Sequence, residues 1–449
     1  MKARDGFTSQ FGAIAAAAGS AIGLGNIWRF PYVTGENGGG AFLLIYLLAV
    51  LIIGIPAMLS ELLIGRNTQK NPVGAFKKLK PSQPWYLIGS IGIITAFIIL
   101  AFYSTIAGWT MHYIYLSITN AFSGKDINQI NDIYQNFIKS PTLPIFWQLI
   151  FMFLTTIIVL MGIEKGIEKY TKILMPLLFA LIILLDIRAI TLPHASEGLR
   201  FLFKPDFSKI TPSVILEAVG QAFFSLSVGM GVLITYGSYI KKDDNLNSVA
   251  FEVATFDTLI AILAGIAIFP AVFAFNIQPN AGPGLVFVTL PAIFNKMFGG
   301  YIFAILFFIL LVIAALTSSI SLLEVVVAYF TEEKRWSRKK ASIISAMAIS
   351  FLGIFTTLSF GILSNFKILG KTIFDLFDYI SANILLPIGG FFIVIFVGWF
   401  MGRHIIRPEI TNNGKYPGRF CYAFLWLARI FVPIAIILIF LYKLNIIKL

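Results

Sequence analysis

Gly19-Ser20-Ala21-Ile22-Gly23-Leu24-Gly25-Asn26 interrupts the first long apolar segment of the chain, and Ser225-Leu226-Ser227-Val228-Gly229-Met230-Gly231 interrupts the sixth. Each glycine inside a helix costs about 1 kcal/mol relative to alanine, and an unsatisfied backbone group in lipid costs several kcal/mol. Non-helical backbone in lipid therefore persists only where protein buries it or a bound group fills it. Free carbonyls suit a cation, and the amino end of a half-helix suits an anion.

The composition places the chain in a lipid bilayer. Hydrophobic residues make up 58% of its 449 residues and charged residues 12%, and the mean hydropathy is +0.87. Polar side chains could not cover so much apolar surface in a soluble domain of this size. The first apolar stretch has no cleavage-site pattern behind it, so we expect it to be retained as a span.

The net charge of +13 could indicate a nucleic-acid partner. In a membrane protein, however, the position of the charges matters more than their sum, so we expect none. The single cysteine, Cys421, excludes an internal disulfide and a cysteine-based metal site. We interpret it as a packing residue.

Eleven segments have the roughly 20 apolar residues that a 30 Å hydrocarbon core requires. They are 9–34, 41–65, 85–122, 144–162, 169–189, 213–240, 249–274, 300–330, 340–360, 372–400 and 418–445. With the amino terminus in the cytoplasm, about two-thirds of the flanking lysines and arginines lie inside, as the positive-inside rule requires. The odd number of spans then places the carboxyl terminus outside, and we expect the bacterial inner membrane.

The interruptions open segments one and six, the first helices of two five-helix halves. Paired interruptions at matching places are expected of a transporter built from inverted repeats, with its site near the bilayer midplane. Close helix packing through small residues is the alternative for either stretch alone.

Polar residues also occur inside the apolar segments. They are Asn26, Glu61, Asp257, Thr317, Ser318, Ser319 and Glu324. A carboxylate near the bilayer centre costs about 3 kcal/mol or more, so it normally has a partner or a function. Asp257 has no lysine or arginine near it in the sequence, which is typical of a cation ligand. Thr317 and Ser318 could instead bond carbonyls of the preceding turn.

The stretch from Ala21 to Pro31, followed by residues 36–42, resembles the first-helix signature of the neurotransmitter:sodium symporters. Residues 221–231 and 235–239 resemble the sixth helix of this family, and 316–319 resemble the eighth. The resemblance covers essentially the whole chain and is strongest to a bacterial branch with eleven helices. It implies an all-α polytopic membrane protein with a LeuT-like fold. Helices one to five (1–190) and six to ten (191–402) would be inverted repeats, followed by an eleventh helix and tail (403–449).

The resemblance implies two sodium ions. The first would bind the carbonyl of Ala21, the amide of Asn26, Ser225, Asp257 and the carboxylate of the substrate. The second would bind carbonyls of Gly19, Ile22 and Ala314 and hydroxyls of Thr317 and Ser318. Hard oxygen ligands with little formal charge suit a monovalent cation.

The same resemblance implies an amino-acid site. The substrate carboxylate would meet the amides of Leu24 and Gly25 and the hydroxyl of Tyr103, and the ammonium would face carbonyls of Ala21, Phe224, Ser225 and Ser227. Its side chain would be enclosed by Ile99, Ile106, Phe224, Met230, Ser319 and Leu322. Arg29 with Asp378 would form an outer gate. Arg4 with Glu332, near Phe7 and Tyr239, would form an inner gate, although the family usually has tryptophan at position 7 and aspartate at position 332.

Three features are specific to this chain. Asp257 replaces the asparagine of chloride-dependent relatives and Ala261 replaces a chloride-binding serine, so we expect chloride independence. Met230 between two glycines provides a flexible thioether that could accommodate Leu, Phe, Tyr or Trp. Gly166 and Pro176 resemble a family element that unwinds at the inner end of helix five; a plain helix start with a kink is the alternative.

These features predict sodium-coupled import of a large hydrophobic or aromatic L-amino acid by alternating access. A channel would need a continuous polar pore, and the polar cluster here lies at one depth. An enzyme would need a nucleophile or metal motif, whereas the three histidines (His112, His194 and His404) are scattered. A proton-coupled transporter and a sodium-bound amino-acid sensor that does not transport are the remaining alternatives.

Overall fold

The computed structural model describes residues 5–275 and 284–447, and these residues are almost entirely helical. The helices are α1 (Gln10–Ala21), α2 (Gly25–Glu36), α3 (Gly40–Thr68), α4 (Pro72–Leu79), α5 (Tyr86–Ile118), α6 (Ile127–Lys139), α7 (Leu143–Leu160), α8 (Ile163–Ile190), α9 (Ala195–Phe203), α10 (Pro212–Ser225), α11 (Val232–Gly237), α12 (Leu246–Ala274), α13 (Leu285–Lys296), α14 (Gly300–Glu333), α15 (Arg338–Leu358), α16 (Ile373–Phe400), α17 (Arg403–Ile410) and α18 (Arg419–Lys443). Within the described residues, β structure is limited to two isolated bridges.

Nine of these helices, in the described part of the chain, are long and apolar enough to cross a membrane. They are α3, α5, α7, α8, α12, α14, α15, α16 and α18, and they coincide with nine of the predicted segments. The first predicted segment is the pair α1 and α2, which are bent by 52° relative to each other. The sixth is the pair α10 and α11, which are separated by residues 226–231. Both interrupted segments are therefore broken at their glycine-containing stretches, as the sequence predicted.

The break between α10 and α11 depends on backbone conformations that glycine adopts readily. Gly229 and Gly231 have φ values of +90° and +73°. A Cβ at Gly229 would lie 2.5 Å from the carbonyl oxygen of Leu386, so this position also lacks space for a side chain. Glu61 of α3 accepts a hydrogen bond from the Gly229 N–H at 2.6 Å and holds the broken segment against α3.

Proline accounts for many of the π-helical turns inside the membrane helices. Five of these turns are each followed by a proline at the start of the next α-helical stretch: Pro31, Pro56, Pro291, Pro387 and Pro433. Proline has no N–H and its ring collides with the carbonyl four residues earlier. A wider turn before the proline relieves that collision.

The two breaks face each other in the interior of the bundle. α1 packs against α8, α12 and α14, and α14 packs along α5. The break after α1 contains residues 22–24, and the break after α10 begins directly after Ser225. Buried side chains of α5, α12 and α14 surround both of them.

Candidate functional site

A cavity of about 60 Å³ lies between the two breaks. Ten of the twelve predicted substrate residues line it: Ala21, Leu24, Gly25, Ile99, Tyr103, Phe224, Ser225, Ser227, Met230 and Leu322. Ser20, Gly23, Phe102 and Ser318 also line it, although none of them was predicted to contact substrate. The other two predicted residues, Ile106 and Ser319, are buried but do not line the cavity.

One end of the cavity is polar. The Leu24 N–H donates a hydrogen bond to the Tyr103 hydroxyl at 3.1 Å. This approach requires glycine at position 23, because a Cβ there would lie 2.7 Å from Ser318 Oγ and 3.0 Å from the Tyr103 hydroxyl. The polar end thus combines a backbone N–H at the start of α2 with a phenol hydroxyl, both of which can donate to a carboxylate.

The cavity lining also contains apolar side chains. Ile99, Phe102, Met230 and Leu322 contribute its surface. The Phe102 ring packs edge-on against Phe374 of α16, with the ring centroids 5.5 Å apart. A hydrocarbon or aromatic side chain placed here would be removed from water.

Asp257 lies at the centre of a buried oxygen cluster. Its carboxylate accepts hydrogen bonds from Asn26 Nδ2 at 2.7 Å, from Ser225 Oγ at 2.7 Å and from the Tyr46 hydroxyl at 3.4 Å. Asp257 and Asn26 are both 0% exposed. Among the described residues, no lysine or arginine nitrogen lies within 4.0 Å of this carboxylate. An isolated buried carboxylate attracts a cation or a proton.

A second oxygen cluster joins α14 to the break after α1. Ser318 Oγ lies 3.2 Å from the carbonyl oxygens of both Ser20 and Ile22 and 3.4 Å from that of Gly19. Thr317 Oγ1 bonds the carbonyls of Ile313 and Ala314 in its own helix. Thr317 therefore bonds carbonyls of its own helix, as the alternative interpretation predicted. The Ser318 hydroxyl instead contacts carbonyls of α1 and of the break that follows it. All five predicted residues of the second sodium site contribute oxygens to this cluster or lie in contact with it.

Arg29 contacts an aromatic ring that lines the cavity. Its guanidinium carbon lies 4.7 Å from the centroid of the Phe224 ring, a cation–π distance. Gln221 Nε2 donates to the Gly25 carbonyl at 3.3 Å and links α10 to α2 at the same place. In the described structure Arg29 has no carboxylate within 4.0 Å, so its pairing with Asp378 stays a prediction.

The predicted inner gate is only partly described, because Arg4 lies outside the described residues. Glu332 accepts hydrogen bonds from the Asn71 N–H at 2.9 Å and from Asn71 Nδ2 at 3.0 Å. The Phe7 N–H donates to the Tyr239 carbonyl at 3.0 Å, and the Phe7 ring packs edge-on against Tyr236 and Tyr239. Phe7 and Tyr239 therefore meet as expected.

Two carboxylates near the predicted inner-gate residues Phe7 and Tyr239 were not predicted to belong to that gate. Glu324 of α14 accepts from the Tyr239 hydroxyl at 2.7 Å and pairs with Arg338 at 2.5 Å. Glu168 of α8 accepts the Thr8 N–H at 2.7 Å and the Thr8 hydroxyl at 2.6 Å, just before α1 begins. The Glu324–Tyr239 and Glu168–Thr8 contacts join positions that are 85 and 160 residues apart, and only the three-dimensional packing reveals them.

The segment between Gly166 and Pro176 is helical. α8 begins with a π-helical turn, Ile163–Glu168, and continues through Pro176 to Ile190. A Cβ at Gly166 would lie 2.1 Å from the carbonyl oxygen of Ile158, so this glycine permits close packing on α7. Unwinding of this segment stays a prediction.

Two broken helices that enclose a buried cavity and two oxygen clusters, within a bundle of membrane-spanning helices, define a secondary transporter. The chain belongs to the sodium:neurotransmitter symporter family, whose sequence model matches residues 4–135 and 127–448. It is therefore a sodium-dependent, multi-pass membrane transporter, and its relatives are transporters and not enzymes.

Individual relatives match over nearly their whole length. The chain is 42% identical over 442 residues to an uncharacterized sodium-dependent transporter of Bacillus subtilis (strain 168), YhdH, covering 98% of each chain. It is 41% identical over 454 residues to an uncharacterized sodium-dependent transporter of Haemophilus influenzae, again covering 98% of each. Among solved structures, MhsT in complex with L-phenylalanine matches with a TM-score of 0.90 and 48% identity, over 98% of this chain and 100% of that chain. The predicted LeuT-like fold is confirmed.

Proposed function

We propose that this protein imports a large hydrophobic or aromatic L-amino acid of the Tyr, Trp, Phe and Leu class, driven by sodium. The observation that carries this proposal is the cavity between the breaks, whose lining combines hydrogen-bond donors with apolar side chains. A zwitterion with an apolar side chain matches this combination. The L-phenylalanine bound to the related MhsT supports this substrate class.

Two sodium ions would accompany the substrate. The first would bind in the Asp257 cluster, with Ala21, Asn26 and Ser225 as further ligands. The second would bind in the Ser318 cluster, with Gly19, Ile22, Ala314 and Thr317. The close contacts among these oxygens support the assignment, because a cation can replace the hydrogen bonds that now join them.

Transport would be independent of chloride. Asp257 provides a fixed negative charge at this position. A neutral residue here would require an anion from solution instead. Ala261 is fully buried one turn further along α12 and offers no hydroxyl to a halide.

Alternating access would move the two repeats, 1–190 and 191–402, relative to each other. Arg29 and Asp378 would close the outer side, and Arg4 and Glu332 the inner side. We place the protein in the bacterial inner membrane with the amino terminus in the cytoplasm and the carboxyl terminus outside. The arrangement of basic residues supports this orientation.

Uptake into liposomes tests the proposal. The purified protein would be reconstituted and supplied with radiolabelled tyrosine under an inward sodium gradient, with leucine and tryptophan as competitors and potassium as the replacement ion. We expect sodium-dependent uptake that Asp257→Ala abolishes. Glu217→Gln is the matched control, because Glu217 is paired with Lys443 in α18, away from the cavity.

Three outcomes would contradict the proposal in different ways. Equal uptake without sodium would remove sodium coupling. Uptake driven by a proton gradient alone would favour a proton-coupled transporter. Sodium-dependent binding of tyrosine without accumulation would favour a sensor.

A further inference from the structure

A groove of about 550 Å³ lies between α7 and α15, on the outside of the helix bundle. Its floor includes Met152 and Ala346, which are 2% and 6% exposed. Its rims carry Phe153, Met347 and Phe351, each more than 60% exposed. Because both helices cross the membrane, the groove opens toward lipid. Large apolar side chains on both sides of a buried floor can hold a hydrocarbon chain along the groove.

The contacts of Arg338 show which ends of α7 and α15 lie together at one end of the groove. Its Nε donates to the Val159 carbonyl at 2.9 Å, so the start of α15 lies beside the end of α7. Its guanidinium also pairs with the fully buried Glu324. The charge of Arg338 is therefore neutralised within the protein and does not contribute to the groove surface.

The end of the groove near Arg338 has two further basic residues. On α15 the residues that line the groove recur at helical spacing: 343, 346–347, 350–351 and 354. One turn before residue 343, the same face of the helix carries Lys339 and Lys340. Both lysines are exposed, and within the described chain neither has a carboxylate within 4.0 Å.

The remaining groups at this end do not cancel that charge. Lys340 Nζ lies 4.9 Å from the Trp336 ring, an arrangement typical of membrane interfaces. After α7 ends, Glu164 and Lys165 are both exposed and offset each other's charge. The net excess of positive charge at the groove end comes from Lys339 and Lys340.

We propose that this groove binds an anionic phospholipid, with one acyl chain between α7 and α15 and the phosphate at Lys339 and Lys340. From Leu149 to Leu160 the α7 side of the groove is about 16 Å long. A lipid chain spans half of the hydrocarbon core, about 15 Å, so the lengths agree. Basic pockets between membrane helices attract anionic headgroups.

A second copy of the chain is the competing occupant. A twofold interface needs a ridge that fits the same groove on the partner. The α7–α15 surface presents a groove with raised rims, which suits a thin chain better than its own copy.

Thermal unfolding in detergent tests the proposal on the intact protein. Phosphatidylglycerol and phosphatidylcholine with the same acyl chains would be titrated separately. We expect phosphatidylglycerol to raise the Tm at lower concentration than phosphatidylcholine does. The Lys339→Gln/Lys340→Gln double variant should raise the half-saturating concentration of phosphatidylglycerol about thirtyfold, to that of phosphatidylcholine. Ser350→Phe should fill the groove and weaken the response to both lipids.

The matched control is Lys334→Gln/Arg335→Gln, which removes two exposed charges that precede the groove face. This control should respond to phosphatidylglycerol as the wild type does. Equal loss in both double variants, or no loss in either, would overturn the proposal. If Ser350→Phe converts a dimer to a monomer by light scattering and leaves both lipid responses intact, the groove is a subunit interface and the proposal fails. The lysine variants decide the question alone if Ser350→Phe does not fold.

Discussion

At the residue scale, the charge of Asp257 is the most informative feature of the site. It is a fully buried carboxylate that receives hydrogen bonds from neutral donors only, in the part of the chain that the structure describes. Neutral donors reduce the cost of burying a carboxylate but do not cancel its charge. Sodium binding would cancel it, so ion affinity and the ionic requirements of transport should depend on this single group.

Asp257→Asn should weaken sodium binding and keep the shape of the site. Charge-assisted contacts contribute about 1.5–3 kcal/mol, so we expect the half-saturating sodium concentration for tyrosine uptake to rise about tenfold or more. Adding Ala261→Ser should make the remaining uptake respond to chloride, because the double variant has the asparagine and the serine of the chloride-dependent relatives. Uptake measured over sodium and chloride titrations checks both effects. Undiminished sodium affinity in Asp257→Asn would place the ion elsewhere.

Met230 should determine the size of the accepted side chain. It lies between two glycines with positive φ and lines the cavity, so its position is held by the backbone while its side chain can change rotamer. Met230→Phe adds volume and removes that flexibility, at an overpacking cost of about 1–3 kcal/mol. We expect tryptophan to compete for uptake at least tenfold more weakly, and leucine to be less affected.

Met230→Leu is the volume-conserving control and should keep the wild-type ranking of competitors. An equal loss of affinity for tryptophan and leucine in Met230→Phe would show that the residue acts on the backbone break and not on side-chain selection.

At the scale of elements, the start of α1 is held by Glu168 of α8. This carboxylate receives two hydrogen bonds from Thr8 and pairs with Lys172 at 2.5 Å. Gly12 permits the contact, because a Cβ there would lie 2.1 Å from Glu168 Oε1. The first helix and the start of α8 are therefore joined, and we predict that opening the inner side breaks this contact.

Glu168→Gln and Gly12→Ala should both increase the population that is open to the inside. Losing charge-assisted bonds of about 1.5–3 kcal/mol shifts such an equilibrium about tenfold or more. Thiol labelling of Thr171→Cys in a Cys421→Ser background measures the change, since Thr171 is fully buried one turn after Glu168. Gly220→Ala is the control, because its Cβ would meet nothing closer than 3.8 Å. Labelling at the wild-type rate in both variants would refute the coupling.

A second connection between elements lies outside the membrane-spanning helices, at α17. Glu409 pairs with Arg66 at 2.6 Å and with Lys242 at 3.1 Å, and Arg66 is 1% exposed. Burial alone would raise the pKa of Glu409, but the charges of Arg66 and Lys242 bring that pKa below its ordinary value of 4.5. A carboxylate with a lowered pKa stabilises the fold above the unfolded-state value and loses this effect as the pH falls through the folded-state value.

Glu409→Gln should lower the Tm by several degrees at neutral pH, because it leaves Arg66 buried without its counter-charge, at a cost of about 3 kcal/mol. The difference between variant and wild type should begin to shrink near pH 4.5 and disappear as the pH falls through the lower folded-state pKa, where protonation removes the wild-type charge as well. Glu197→Gln, at an exposed pair with His194, should change the Tm little at either pH. A pH-independent difference would show that shape, and not charge, is responsible.

The elements also show what one sequence can predict. Lipid requires about 20 apolar residues per span, so most span positions were predictable to within a few residues. Glycine clusters located both breaks, and proline positions could have located the π-helical turns. The contacts Thr8–Glu168, Tyr46–Asp257 and Arg338–Glu324, and the lining role of Phe102, were missed. They depend on which helices become neighbours, which a single sequence does not encode in any local pattern.

At the scale of the whole molecule, the two proposed sodium sites would set the energetics of transport. Two sodium ions moving with a zwitterion carry two positive charges, and each is worth about 2.3 kcal/mol per 100 mV. At about 1.4 kcal/mol per decade, a potential of 100 mV alone supports roughly two-thousandfold accumulation. A proton moving outward in the same cycle would leave one net charge and roughly fortyfold accumulation.

The accumulation ratio at fixed sodium therefore distinguishes the two cycles. In liposomes with equal sodium on both sides and a potassium diffusion potential of about 100 mV, inside negative, we expect tyrosine to approach the limit of roughly two-thousandfold for two net charges. The slope of log accumulation against potential gives the charge directly and is insensitive to the amount of active protein. Asp257→Ala should show no potential-dependent accumulation, which excludes leakage. A slope of one charge would mean that one ion is lost from the cycle or that a proton returns, and repeating the measurement at two internal pH values separates these cases.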